Sequence, residues 1–482
     1  MSFPRVASFP DAAALARHLD GLGWPLPMDA AIEPAPHSPL AAPLTVEMEG
    51  AAHAVGNRFA IQPMEGWDGT VDGRPSDFTR RRWRHFGGSG AKLIWGGEAV
   101  AIVPEGRANP NQLLLNEDTV GEIAALRTLL LQAHQELGDG TDDLLVGLQL
   151  THSGRFARPH DKTRLEPVVA CRHPWLDTKV GLTAEPLPDE AVGALVDAFA
   201  RAARLAQQGG FQFVDLKCCH GYLGHEFLGA RQRTGRYGGP FENRTRFLRE
   251  CIAAVRSAAP GLGIAVRLSA FDLVPYVQDP ASGRGIPCMT GTYAHGFGVN
   301  AADPTQPDLH EAKLLLHDLV DLGIRLVNVS AGSPYYTPHI QRPALFPPSD
   351  GYLPPEDPLV GVARLLQAAR DLKAAVPEMT VVSSGWSYLQ EFLPQVAQAV
   401  VRAGWCDAVG LGRMVLSYPD LPRDVLTSGK LQRKRLCRTF SDCTTAPRQG
   451  LISGCYPLDP FYKALPEARL VQRPVVKVGG GE

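Results

Sequence analysis

Eight short, β-rich apolar runs alternate with amphipathic helical stretches, and this alternation constrains the fold more than any other feature of the chain. The runs cover residues 58–62, 92–96, 144–150 and 211–216, then 264–268, 325–330, 380–384 and 407–411. Most do not alternate apolar with polar residues, as befits strands buried on both faces of a parallel sheet. Between them, apolar residues recur at helical spacing. Residues 190–208 are the clearest case, with Gly209-Gly210 as a stop before the next strand. Parallel strands joined through helices imply right-handed crossovers. A doubly wound open sheet shares these local signals. However, the count closes at eight and no dinucleotide-type glycine fingerprint follows the first strand. The expected fold class is therefore α/β, a (β/α)8 TIM barrel.

The 482 residues suit one barrel of roughly 250–400 residues with appendages. Residues 1–45, rich in Pro and Ala, read as an N-terminal extension that wraps a barrel spanning 46–430. Residues 271–307 read as a Gly/Pro-rich insert after the fifth strand, a natural lid. Residues 431–482 read as a short C-terminal tail with its own cysteines. A formal net charge of −2 supplies no basic excess, which argues against nucleic acid or an anionic membrane as partner. The run Arg433-Lys434-Arg435 is too short to alter that and reads as a solvated turn. No apolar stretch approaches the roughly 20 residues of a membrane span. The first twenty residues lack the apolar core and cleavage site of a secretory signal. Nine cysteines, an odd number scattered through expected strands and helices, fit reduced thiols in a cytoplasm better than a disulfide framework. The expected partner is a small-molecule substrate, and a homo-oligomer is compatible with these features.

Barrel sites form at the C-terminal ends of strands, so the polar residues there are the candidates. They are Pro63-Met64-Glu65, Gln149, Lys217, His220, Tyr222, Arg267, Ser384-Gly385 and Gly412-Arg413. Glycine turns after the seventh and eighth strands are where barrels hold a phosphate, and Arg413 adds a charge-assisted contact. A glycine after a strand is ordinarily just a tight turn; it is the pair together with Arg413 that points to phosphate.

The stretch 215–247, DLKCCHGYLGHEFLGARQRTGRYGGPFENRTRF, resembles the most distinctive segment of the old yellow enzyme family of FMN oxidoreductases. Asn57-Arg58, Pro63-Met64, Gln149, His152-Ser153-Gly154-Arg155, Arg267 and Gly410-Leu411-Gly412-Arg413 fall where that family has counterparts, over roughly residues 45–430. The resemblance implies FMN as cofactor and NADH or NADPH as reductant. It implies that Gln149 and Arg267 contact the polar edge of the flavin, and that Gly385, Gly412 and Arg413 hold the phosphate. It gives Tyr222 the role of protonating the substrate carbon, and His220 that of gripping a substrate oxygen. Elementary chemistry agrees: reducing a polarised C=C bond needs hydride on one carbon, a proton on its neighbour and a donor on the conjugated oxygen.

Three departures from the family pattern involve four positions. Lys217 stands where the family has a histidine, which changes the electrophile; alternatively it turns aside into a salt bridge. Glu65 stands beside the flavin where Thr or Cys is usual, and a carboxylate there disfavours an anionic reduced flavin or acts as a base. Arg231 and Gly235 replace an Asn and an Asp in the loop after the fourth strand. In the tail, Cys437, Cys443 and Cys455 resemble the [4Fe–4S] motif of the branch containing trimethylamine dehydrogenase and dienoyl-CoA reductases, with Phe440 in place of the second cysteine. Three thiolates leave one iron without a protein ligand, so a structural segment is expected over a cluster. Three functions fit these residues: an ene-reductase-like oxidoreductase, favoured by Tyr222 and His220; a dehydrogenase of an amine or alcohol, favoured by Glu65; and a flavin-binding protein without turnover.

Overall fold

The computed structural model describes residues 3–138, 140–183 and 185–472, so the last ten residues of the tail lie outside the description. Its strands are β1 (Leu44–Met48), β2 (Ala51–Val55), β3 (Phe59–Ile61), β4 (Leu93–Ile94), β5 (Ala99–Ala101), β6 (Leu145–Thr151) and β7 (Phe213–Cys218). They continue as β8 (Gly263–Ser269), β9 (Tyr276–Gln278), β10 (Gly285–Pro287), β11 (Leu326–Ser330), β12 (Thr380–Ser383) and β13 (Ala408–Leu411). Strands β3, β4, β6, β7, β8, β11, β12 and β13 pair in parallel in that order, and β13 returns to β3 through Val409 opposite Phe59, closing the barrel. Each of the eight apolar runs becomes one of these strands.

β4 and β5 are two halves of one barrel strand, both paired to β6 and interrupted at Gly96-Gly97-Glu98. Gly97 has φ +48°, and a Cβ there would press into the Trp83 indole at 2.8 Å, so glycine suits the kink on two counts. The kink brings Glu98 opposite Met64 at the mouth of the barrel.

The hairpin β1–β2 was not among the expected strands, and it spans the boundary expected after residue 45. β1 alternates buried and exposed residues. Leu44, Val46, Met48 and Val55 pack with Ala60, Leu93, Leu145, Phe213, Leu326 and Ala408, which lie at the N-terminal starts of the barrel strands. The hairpin therefore stoppers the end of the barrel opposite the strand C-termini. Upstream, within residues 3–43, Leu15, Leu19 and Leu40 join the main core, and Asp29 and Ala35 bond by their backbone N–H to the carbonyls of Gln395 and Leu426.

The insert 271–307 folds as the hairpin β9–β10 with a small core of Val274, Tyr293 and Val299. None of its residues lines the central cavity; Tyr276 borders a neighbouring groove, and Tyr293 and His295 a smaller side cavity. The tail packs across the mouth instead. Ser441 Oγ donates to Phe346 O at 2.7 Å, Ser349 N donates to Thr445 Oγ1 at 3.1 Å, and Arg448 pairs with Asp350. Among the described residues, no helix is long and apolar enough to cross a membrane.

The stopper yields a stability prediction. Met48 is buried in it, so Met48→Ala should lower the unfolding free energy by about 2–5 kcal/mol, read from denaturant midpoints. An unchanged midpoint would mean the hairpin does not close the barrel.

Candidate active site

A cavity of about 310 Å³ opens at the C-terminal ends of the barrel strands, within the range of small-molecule sites. Its wall includes every site residue expected from the sequence: Pro63, Met64, Glu65, Gln149, Lys217, His220, Tyr222, Arg267, Ser384, Gly385, Gly412 and Arg413.

Beneath the cavity, behind Gln149 and Arg267, lies Asp215 on β7, fully buried in the barrel interior. It accepts from Trp95 Nε1 at 2.7 Å, from Gln149 Nε2 at 2.6 Å and from the backbone N–H of Arg267 at 2.6 Å. Burial pushes its carboxyl up to about 6, against the pull of these hydrogen bonds and of Arg267. With its NH2 group tied to a carboxylate, the Gln149 amide has its carbonyl oxygen left for whatever lies beyond. Arg267 is buried, its Nε lacks a partner, and burial lowers its proton affinity.

A second buried network fixes the 65–68 turn. Gly66 N donates to Glu98 Oε1 at 2.6 Å, and Arg82 bridges Glu98 at 2.7 Å and Asp68. Burial raises the Glu98 carboxyl to about 7 against the attraction of Arg82. A third network links Gln62 on the turn after β3 with Asn328 on β11 at 2.7 Å and with Ser384 Oγ at 3.1 Å.

Two of the departures from the family pattern, Lys217 and Glu65, meet in space. Lys217 Nζ stands 3.7 Å from Glu65 Oε2 and 4.0 Å from the centre of the Tyr222 ring. The Tyr222 hydroxyl donates to Glu65 Oε2 and lies 3.0 Å from the Tyr335 hydroxyl. Burial, then Glu65, pushes the Tyr222 hydroxyl well above its ordinary pKa, so it stays protonated. Tyr335 is fixed by a parallel stack on Phe156, 4.0 Å between ring centres. Lys217 thus pairs with a carboxylate, as its salt-bridge alternative held, yet it remains on the cavity wall.

His220 adopts φ +67°, uncommon for a residue with a side chain. Ser269 Oγ accepts from its backbone N–H at 3.0 Å, and its carbonyl accepts from Ser333 Oγ at 2.8 Å, holding that conformation. Burial, Arg267 and Lys217 keep the ring neutral, and its Nε2 contacts Ser330 Oγ at 2.9 Å. Opposite, Gly385 sits at φ +102°, where a Cβ would meet Leu365 Cδ1 at 2.8 Å. Arg413 Nη2 donates to Pro343 O at 3.0 Å, and its Nη1 has no partner.

Cys443 lies on the cavity wall, while Cys437 and Cys455 are buried nearby; burial raises both thiol pKa values, and Cys437 and Cys443 add to the rise at Cys455. Phe440 packs on Phe346 at 5.4 Å. Among the described residues, no group of three or more His, Cys, Asp or Glu side chains is arranged to hold a metal ion. Sequence reasoning placed Glu98 at a strand end among the candidates and missed Asp215, Gln62, Arg82 and Arg342. A carboxylate inside an apolar strand, such as Asp215 in FVDLKC, was the one local signal on offer.

Asp215 gives a pH prediction. Its carboxyl is raised from 3.8 to about 6, so the folded state holds that proton more tightly than the unfolded state. The wild type should therefore gain stability relative to Asp215→Asn as pH falls from 7 through 6 toward 4, measured by denaturant unfolding. A difference that does not vary with pH would refute the assignment.

The chain matches the NADH:flavin oxidoreductase / NADH oxidase family over residues 40–286. It is similar to the NADH:flavin oxidoreductase FG08077 of Gibberella zeae, 32% identical over 241 residues, covering 46% of this chain and 55% of that one. It is also similar to an NADPH dehydrogenase of Bacillus pumilus, 32% identical over 263 residues, covering 54% of this chain and 71% of that one. The chain thus spans little more than half the length of the first of these relatives. Among solved structures, a 2-naphthoyl-CoA reductase in complex with 2-naphthoyl-CoA superimposes with a TM-score of 0.63 at 19% identity, covering 88% of this chain and 57% of that one. Its likeness is one of fold. With the family profile matching half the chain and a relative of this identity covered over most of its length, the chain belongs to the NADH:flavin oxidoreductase / NADH oxidase family, the old yellow enzymes.

Proposed function

We propose that the chain is an FMN-dependent oxidoreductase that takes hydride from NADH or NADPH and delivers it to an activated alkene or related electrophile, with Tyr222 as proton donor. One observation carries this reading: the acid Tyr222, the donors Lys217 and His220, and the Gln149–Arg267 pair all line one cavity. The catalytic unit is the barrel of residues 46–430, with the tail from 431 as part of its wall. Its nine free cysteines support a cytoplasmic setting.

The donor set suits FMN. Arg267 Nε and Arg413 Nη1 are shielded nitrogens without partners, and both residues line the cavity. At Gly412 the wall is bare backbone, since a Cβ would meet nothing nearer than Gln62 Cβ at 3.9 Å. Gln149 and Arg267 would hold the polar edge of the ring beside Pro63, Met64 and Glu65. Ser384, Gly385, Gly412 and Arg413 would hold the phosphate. When bound, FMN supplies reversible hydride transfer.

The chain's own groups manage the substrate oxygen and the proton. Lys217 and neutral His220 can donate to a carbonyl or nitro oxygen and stabilise the negative charge that develops on it. Tyr222 Oη–H breaks as its proton passes to the substrate carbon, leaving a phenolate with Lys217 Nζ 4.0 Å from its ring centre. Lys217 thus offsets both this phenolate and Glu65. A second reading draws on a specific contact. A tyrosine hydroxyl donating to a carboxylate also suits taking a proton from a substrate, which favours oxidation of an amine or alcohol.

The test is anaerobic mixing of the FMN-loaded protein with NADPH and then 2-cyclohexenone, following nicotinamide and flavin absorbance separately. Nicotinamide consumption that depends on the enone supports the first reading; flavin bleaching by amines or alcohols, but not by nicotinamides, selects the second. Tyr222→Phe should slow flavin reoxidation by the enone about 10²–10⁴-fold while leaving flavin reduction by NADPH unchanged. Glu65→Gln separates the directions. Removing the carboxylate lowers the raised pKa of Tyr222, so electrophile reduction should hold or quicken, whereas substrate oxidation should collapse.

A further inference from the structure

The phosphate end of the cavity carries a second cation that the family resemblance does not supply. Arg342, in the segment after β11, lines the same wall as Arg413. The two are neighbours through the backbone, because Arg413 Nη2 donates to the carbonyl of Pro343, the residue after Arg342. Arg342 Nη1 donates to Thr444 Oγ1 of the tail. That leaves Arg342 Nη2 and Arg413 Nη1, both shielded from solvent and both without a hydrogen-bond partner. Arg448 nearby is paired with Asp350, whereas the polar contacts of Arg342 and Arg413 are with a hydroxyl and a carbonyl. Burial, with Arg448 and Arg413 close by, pulls Arg342 down to about 9. Two guanidinium groups set side by side in a shielded site are costly unless an anion joins them.

We propose that Arg342, aimed by Thr444, and Arg413 form a two-guanidinium seat for a phosphate monoester dianion, and that the tail serves to hold Arg342 in this seat. The inference rests on the FMN reading above, whose phosphate is the occupant we assign. Arginine suits this role because its planar donors match phosphate oxygens two at a time. The tail is anchored around it: Ser441 and Thr445, on either side of Thr444 in sequence, bond to the backbone at Phe346 and Ser349. Threonine at 444 accepts from Arg342 without bringing a negative charge, so it positions the cation and leaves its charge for the ligand.

The experiment titrates the flavin-free protein with FMN and with riboflavin, which lacks the phosphate, and reads flavin fluorescence. Thermal unfolding of each variant checks folding. Arg342→Met should weaken FMN binding about 10–100-fold and leave riboflavin binding unchanged, as should Arg413→Met. Thr444→Val should shift FMN binding in the same direction by a smaller factor and also spare riboflavin. Equal losses for both flavins in Arg342→Met, or no loss for either, would overturn the seat. If the wild type binds neither flavin, the FMN reading fails on its own, and inorganic phosphate becomes the probe. Phosphate raising the melting temperature of the wild type but not of Arg342→Met would then sustain the seat, and no shift in either would overturn it.

Discussion

Asp215 ties the barrel to its site. Its two carboxylate oxygens collect an indole N–H from β4's continuation, an amide from β6 and a backbone N–H from β8, so one side chain fixes the relative height of the strands around it. A carboxylate at this depth is tolerated because three donors meet it. The orientation of Gln149, the placement of Arg267 and the seating of Trp95 against Phe213 at 5.6 Å all follow from that junction. Around it, the same logic repeats at smaller scale: Gln62 with Asn328, and Arg82 with Glu98 and Asp68, each join a mouth loop to a distant element. These junctions are rigid because their polar groups are paired before any ligand arrives, whereas Arg267 Nε, Arg342 Nη2 and Arg413 Nη1 stay unpartnered.

The same principle explains why two departures from the family pattern are tolerated. An isolated lysine or glutamate on this wall would carry an uncompensated charge into a poorly solvated pocket. Side by side, Lys217 and Glu65 neutralise each other, and Tyr222 joins them through its hydroxyl. The chemistry of this corner therefore belongs to three side chains acting together.

Much of this was legible in the sequence, and the reasons it was not all legible are physical. Strands such as β6, β7 and β8 are buried on both faces and show as apolar runs, so the barrel could be counted. The hairpin β1–β2 escaped because its short, half-exposed strands resemble loop composition. β5 escaped because the Gly96-Gly97 kink cuts its strand in two. Residues at strand ends were found because barrel topology directs them to one mouth. Partnerships were not: Glu65 and Lys217 each stood out singly, but nothing local pairs residues 152 positions apart. Arg342 and Thr444, drawn from a loop and a tail, gave no periodic signal at all.

The position of the tail has a consequence for how the protein comes into being. Residues 443–462 complete a wall whose other residues come from 62 onward, so the last-made part of the site closes the first-made part. Domains assemble largely in the order their chains emerge from the ribosome. The eight barrel strands, the last ending at Leu411, are therefore all made before this part of the wall exists. Once made, the tail is fastened to the 342–350 segment by Arg448 and Ser441. The mouth of the barrel is thus completed by the segment that follows the barrel in the chain, which ties the finished shape of the cavity to the docking of the tail.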